Sequence, residues 1–299
     1  MTGTLDDFRI FEPYPGIFAY YDGRIAGKRL YSQEPNWLDD GAFSLGIASY
    51  AIVDGGEALV YDTHITLDHA RAIRDHVEAK GVSKITVVLS HFHNDHIAGN
   101  EVFADCAIVA NETTARLLEA EKPRIAARLP KIDPVVMPNS LFDGGRTIAV
   151  GGCMVELHQF NIHSPDATVM WLPEKRLLFA GDTLEDTVTY MTDPATLPLH
   201  LTELRRLRSF PIARILPCHG DPDRISAGGY EPSFIDATIR YVEAMNDDAS
   251  EPEIWRTPLV KAVSEDVESG ALIYVPAYEH VHASNIATLK AYRSNLSKA

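Results

Sequence analysis

Three histidines and an aspartate, His91, His93, Asp95 and His96, crowd into six positions of the stretch Ser90-His-Phe-His-Asn-Asp-His-Ile97. Imidazole nitrogen and carboxylate oxygen are the donors that borderline divalent cations take. Left without a cation at a buried strand end, so many polar groups would be desolvated at a cost of several kcal/mol. On an extended or tightly turned segment His91 and His93 reach one point, while Asp95 and His96 are displaced toward a second, so one motif can serve two cations. Zinc, manganese and iron all suit these donors, and the number of histidines favours zinc.

The elements around the motif must carry it to a common edge. Ile85-Thr-Val-Val-Leu-Ser90 is rich in β-branched residues and reads as a strand running straight into His91. The polar cluster therefore sits at a carboxyl strand end, where α/β sheets bind ligands. Upstream, residues 45–63 alternate short apolar runs about the turn Asp54-Gly55-Gly56 and predict a hairpin whose second strand ends near Asp62. Leu67, Ala70, Ile73 and Val77 share a helical face over 67–80, and Gly81 supplies a stop. Downstream, the pattern predicts a helix over about 112–121 and strands near 147–160 and 168–180, with a turn at Pro173-Glu-Lys175. A helix over 198–209 precedes a strand over 213–219 that ends in a histidine, His219. Two later helical faces follow, one through Ile235, Ile239, Val242 and Met245, the other through Ile286, Leu289, Tyr292 and Leu296. The fold class is mixed α/β.

At 299 residues the chain can form one continuous core, and 45% hydrophobic against 23% charged residues excludes disorder and fibrous repeats. The net charge of -15 is scattered along the chain, so its surface repels polyphosphates, and nucleic acid is not an expected partner. No apolar run approaches the length of a membrane span, and the amino-terminal Met1-Thr-Gly-Thr-Leu-Asp-Asp lacks the pattern of a leader, so a cytoplasmic protein is expected. Cys106, Cys153 and Cys218 form no CxxC pair and are expected as free thiols, Cys218 being singled out by its neighbour His219.

His91-Phe-His93-Asn-Asp95-His96 resembles the HxHxDH signature of the metallo-β-lactamase fold superfamily, which includes glyoxalase II and the lactonases. The likeness covers roughly residues 45–222. Ala58-Leu-Val-Tyr-Asp62 resembles the strand ending in an acid before that signature. Ile162-His163-Ser-Pro-Asp, Leu177-Leu-Phe-Ala-Gly-Asp182-Thr and Leu216-Pro-Cys-His219-Gly resemble the later ligand segments, in order. The resemblance implies an αββα sandwich with a helical carboxyl-terminal extension. Along the chain, residues 1–44 would form an extension packed on the core, 45–222 the catalytic core and 223–299 a helical part of the same domain. It further implies that His91, His93 and His163 hold one cation, that Asp95, His96 and His219 hold the other, and that Asp182 bridges them, with Asp62 orienting a ligand imidazole.

What these residues imply together is a binuclear metal-dependent hydrolase, with two divalent ions, zinc foremost and manganese or iron as alternatives, sharing a hydroxide. Asp95 is the candidate to position that hydroxide or move its proton. A carboxylic ester, thioester or lactone of small size is the expected substrate. Competing readings are a mononuclear iron persulfide dioxygenase, a phosphodiesterase, and a metal-binding module without turnover. A secreted lactam hydrolase is not expected, since no cysteine ligand stands beside Asp182. The tyrosine nearest after Asp182 is Tyr190, eight residues on, farther than in the lactonases. Ser90, Ser164 and Thr183 lie beside ligand positions but in no G-x-S-x-G elbow, so they read as hydrogen-bonding partners. His64, His69, His76, His158 and His200 read as packing or surface residues. Lys290 and Arg293, the segment Tyr278-Glu-His280-Val-His282, and Tyr31, Trp37 and Phe43 in the tract 22–44 leave substrate contact, subunit contact and plain packing open, and a homo-oligomer is compatible with them.

Overall fold

Along the central strands side chains alternate between two apolar environments, the period-2 pattern that makes one sheet face two cores. The computed structural model describes residues 5–249 and 251–296; residues 1–4, on which the reading of the amino terminus partly rests, lie outside them. Seven strands form the first sheet in chain order: β1 (Arg9–Tyr14), β2 (Ile17–Asp22), β3 (Ile47–Asp54), β4 (Glu57–Tyr61), β5 (Lys84–Val88), β6 (Ala107–Asn111) and β7 (Ser140–Phe142). Pairing is antiparallel from β1 to β4 and parallel from β4 to β7. The second sheet contains β8 (Gly145–Val150), β9 (Cys153–Ile162), β10 (Ser164–Leu172), β11 (Leu177–Gly181) and β12 (Arg214–Pro217), with β12 lying parallel beside β11 at one edge.

The two sheets face each other across one core. Tyr50 and Ile52 of β3, Leu59 and Tyr61 of β4, Met170 and Leu172 of β10, and Leu177 and Phe179 of β11 all belong to it. Their sequence neighbours Ala51, Ala58 and Val60 turn outward to pack against α1 (Leu67–Ala79) and α3 (Glu112–Ala127). On the far side Val169, Trp171, Leu178 and Ala180 meet α4 (Leu197–Arg208), α6 (Ser233–Met245) and α9 (Tyr278–Leu296). Short helices α2 (Asn94–Ile97), α5 (Pro222–Ser226), α7 (Leu259–Ala262) and α8 (Ser264–Glu268) occupy connections. The layers are helix, sheet, sheet, helix, the αββα sandwich expected from the sequence.

Local chemistry fixes the boundaries. Gly55 and Gly56 take positive φ of 56° and 79°, the two left-handed positions that a tight hairpin between β3 and β4 requires. Thr66 and Asn111 cap α1 and α3 by accepting the amides of His69 and Thr114. Among the described residues no helix is long and apolar enough to cross a membrane.

Two tyrosines tie the sheets together at the edge that carries the polar cluster. The Tyr50 hydroxyl donates to Pro217 O at 2.6 Å, and the Tyr61 hydroxyl donates to Thr168 O. Both rings pack edge-on against Phe179, with centroids 5.3 and 6.3 Å away. Burying a large ring on this many neighbours makes Phe179 a central stabilising residue. Phe179→Ala is expected to cost about 3–5 kcal/mol in chemical denaturation, and a loss below about 1 kcal/mol would show that the inter-sheet core repacks freely.

Candidate metal centre

Strand ends at one edge of the sandwich deliver the polar side chains to a common point. Beyond β5, Ser90 and His91 continue the strand direction, and His93 takes an extended conformation (φ -70°, ψ 154°) immediately before α2. The helical turn then presents Asp95 and His96 in succession. Asp62 follows β4, His163 forms the turn between β9 and β10, Asp182 follows β11, and His219 follows β12 by two residues. Asp62 and His163 hold left-handed φ of 65° and 64°, a conformation non-glycine residues rarely adopt and one that clusters where structure is bent to a task. Gly181 is also left-handed (54°), and a Cβ there would come within 2.9 Å of the Ser90 Cβ, so only glycine lets β11 approach β5 closely enough to deliver Asp182.

The structure brings all seven candidate ligands of the sequence together. His91 Nε2 lies 2.8 Å from His93 Nδ1, and His163 Nε2 lies 3.1 Å from the same His93 nitrogen. Asp182 Oδ2 is 3.2 Å from His96 Nε2, 3.4 Å from His219 Nε2, 3.6 Å from His91 Nε2 and 3.7 Å from His163 Nε2. Asp95 Oδ2 joins the second pair, 3.3 Å from His219 Nε2 and 3.7 Å from His96 Nε2. Two donor groups result, His91, His93, His163 and Asp182 in one, and His96, Asp182 and His219 in the other, with Cys218 beside the latter.

Each imidazole is aimed by a partner on its other nitrogen or by its neighbours. His96 Nδ1 lies 2.8 Å from Asp62 Oδ2, and the other Asp62 oxygen accepts the Ser90 amide at 2.7 Å. His219 Nδ1 donates to Gly46 O at 2.5 Å, which leaves its Nε2 lone pair facing the carboxylates. His91 Nδ1 is 3.0 Å from Ser90 Oγ. His163 Nδ1 lies 3.3 Å from Glu185 Oε1, a buried carboxylate that sequence reading passed over. The Tyr190 amide (3.3 Å) and the Tyr278 hydroxyl (3.4 Å) hold Glu185 in place. An acid three residues past Asp182 was its only sequence signal, and the spacing belongs to no motif.

The carboxylates and the His96 and His219 imidazoles favour one another's charged forms. Burial alone would raise the Asp182 pKa, yet His96, His219 and His91 hold it well below the usual carboxylate range. Burial opposes charge on His96 too, but Asp182, Asp95 and Asp62 raise it well above the ordinary imidazole value, and His219 is raised against its own burial chiefly by Asp182. Burial and the neighbouring His163 lower His93 to about 3, so that ring stays neutral with a lone pair to give. Asp182 Oδ1, fully buried, has no hydrogen-bond partner among the described residues. An unpartnered buried oxygen on the same Asp182 whose Oδ2 faces four imidazole nitrogens is what divalent cations satisfy, so the donor set fits a pair of them.

Above this cluster opens a cavity of about 740 Å³. His93, Asp95, His163, Asp182, Glu185 and His219 form its floor, and Trp37, Leu45, Phe92, Ile125 and Tyr190 supply apolar wall. Tyr190 thus reaches the site despite its distance in sequence, its ring centroid 6.5 Å from that of His163. Of the tract 22–44, Trp37 faces the cavity, whereas Tyr31 and Phe43 pack with Leu38, Ile47 and Cys218. Cys218 is a free, buried thiol, as are the half-buried Cys106 and Cys153 free.

The remaining candidates are engaged elsewhere. Ser164 donates to Asp166 and Thr183 to Ala180 O. His69 pairs with Asp22 at 2.8 Å and stacks on His64, and His282 bonds Tyr241 and Thr257 O. His280 is exposed. Lys290 pairs with Glu251, and Arg293 donates to Asp247 O and Ala249 O over the Trp255 ring, away from the cavity. Asp62→Asn, which leaves His96 without its charged partner, is expected to weaken metal affinity about 10–100-fold in chelator competition; unchanged affinity would mean that Asp62 serves only the backbone.

The profile of the metallo-beta-lactamase superfamily matches residues 44–219. A beta-lactamase-like protein 2 homolog of Caenorhabditis elegans is 26% identical over 185 residues, which cover 60% of this chain and 58% of that protein; the chain therefore spans just over half the length of this curated relative. Among solved structures, the metallo-beta-lactamase TMB-1 superposes with a TM-score of 0.62 at 18% identity, covering 80% of this chain and 99% of that one. A metallo-beta-lactamase from Pontibacter korlensis gives 0.61 at 17%, covering 79% and 99%. At such identity these structures share the fold with this chain, and their substrates are their own.

Proposed function

This chain belongs to the metallo-beta-lactamase superfamily, and from that premise we propose that it is a metal-dependent hydrolase of a carboxylic ester, thioester or lactone. One observation carries the reading: a single carboxylate oxygen, Asp182 Oδ2, lies within 3.2–3.7 Å of four imidazole nitrogens on the floor of a cavity of small-molecule size. In this proposal His91, His93 and His163 hold one divalent ion, Asp95, His96 and His219 the other, and Asp182 is shared. Bound there, two such ions lower the pKa of water and polarise a carbonyl oxygen; zinc suits the donors, and manganese or iron is the alternative.

The protein's own groups do the rest. Asp95, lining the cavity and paired with His219, accepts at its carboxylate oxygen the proton released as water adds to the substrate carbonyl, and returns it to the leaving oxygen or sulfur as the acyl C–O or C–S bond breaks. Asp62 keeps His96 in place through its distal nitrogen, and Glu185 lies 3.3 Å from the distal nitrogen of His163. No side-chain nucleophile is needed: Ser90 Oγ sits against His91 and His96, and the hydroxyls of Ser164 and Thr183 are engaged. The apolar wall around the floor excludes water from the acyl group and strengthens every charge interaction beneath it.

Elemental analysis of purified protein beside a panel of a thioester, a lactone and a phosphodiester tests the proposal. Two zinc or manganese ions per chain, with carbonyl turnover that chelation abolishes, are expected. Asp95→Asn should lower kcat about 10²–10⁴-fold. A single iron with oxygen uptake would replace the hydrolase with a dioxygenase. Turnover confined to the phosphodiester would replace it with a phosphodiesterase, and no turnover with both ions bound would leave a metal-binding module.

A further inference from the structure

The cavity above the metal-capable floor has one cationic face. Arg124 and Arg128, from the last turn and the end of α3, line it, and no other lysine or arginine is among its described lining residues. In a chain of net charge -15, two exposed guanidinium groups thus line the same pocket as Asp95, Asp182 and Glu185. The lining also includes apolar surface, Phe92 and Ile125 among it, and Trp37 at 44% exposure.

The two arginines are not equally committed. Arg124 forms an ion pair with Glu121 one helical turn earlier. Arg128 makes no side-chain hydrogen bond or ion pair among the described residues, so its five N–H donors are free for a planar oxyanion. Both residues also complement the negative end of the α3 dipole, a role that calls for charge but not for placement in a cavity wall.

We infer that the Arg124 and Arg128 face is a subsite for an oxyanion, a carboxylate in the first instance, carried at the far end of the substrate from its scissile carbonyl. The inference rests on the hydrolase reading above and narrows it to amphiphilic anions: a reactive acyl carbon at the His/Asp floor, an apolar body along Phe92 and Ile125, and a charged terminus on the guanidinium groups. The match of charge lowers KM, because the same contact is made before and during the reaction.

Mono-4-nitrophenyl esters of succinic, adipic and suberic acid, each compared with the neutral ester of matched chain length, test it on the metal-loaded protein. At one spacer length the acid-ended ester is expected to be preferred in kcat/KM by about fivefold to tenfold at low ionic strength, through KM, with the preference shrinking as salt is added. In an Arg124→Gln/Arg128→Gln double variant the ratio should fall to about one, while the thermal midpoint checks that the fold is intact. No preference at any length, or one that survives in the double variant, overturns the subsite.

Should no ester, thioester or lactone be turned over at all, the hydrolase reading fails, and the subsite is decided by binding instead. Octane-1-sulfonate, followed by quenching of Trp37, whose indole is the exposed one beside the buried Trp171 and Trp255, should bind the parent protein at least about fivefold more tightly than the double variant. Equal binding would overturn it.

Discussion

Four imidazole nitrogens and one carboxylate oxygen, Asp182 Oδ2, converge from four different segments, and the architecture around them serves that convergence. The segments are the ends of β5 and β11, the β9–β10 turn and the tail of β12, so both sheets must hold their edges in register to within fractions of an ångström. Tyr50 and Tyr61 provide the register, each spanning from the first sheet to a backbone carbonyl of the second beside the site. Gly181 permits the approach, and left-handed backbone at Asp62 and His163 turns their side chains inward. The carboxylates and imidazoles of this buried cluster favour one another's charged forms, Asp182 held low and His96 and His219 held high, and Asp182 Oδ1 is left without a partner among the described residues.

The cavity extends the same logic outward. Its floor is polar and fixed by partners on distal nitrogens, as in sites whose ligands must not wander. Apart from Phe92, which stands between two donors, its walls come from outside the donor positions: α3, the tract around Trp37, and the segment reaching Tyr190. The donor set and most of the cavity wall are therefore carried by separate parts of the chain, an arrangement that lets walls change while the floor stays.

Legibility in the sequence followed how local each signal is. His91, His93, Asp95 and His96 stand out because four donors follow a β-branched strand within six residues, and the hairpin at Asp54-Gly55-Gly56 is equally local. His163, Asp182 and His219 are each an ordinary residue in isolation; only their order, matched to a family pattern, pointed to them, and their meeting is a tertiary fact. Glu185 could not be read, since its relation to His163 is made through space. Strands β1 and β2 were also not read. The run Ile17-Phe-Ala-Tyr-Tyr-Asp22 is buried on both faces and so lacks alternation, although Gly16 and Gly23 bracket it as a short strand. Trp37 sits in an irregular tract whose course no periodicity predicts.

The most direct test is anomalous diffraction from crystals of the metal-replete protein. Two peaks are predicted, one enclosed by His91, His93 and His163 and one by Asp95, His96 and His219, with Asp182 touching both. No peak at the cluster, or metal bound only elsewhere on the chain, would contradict the account.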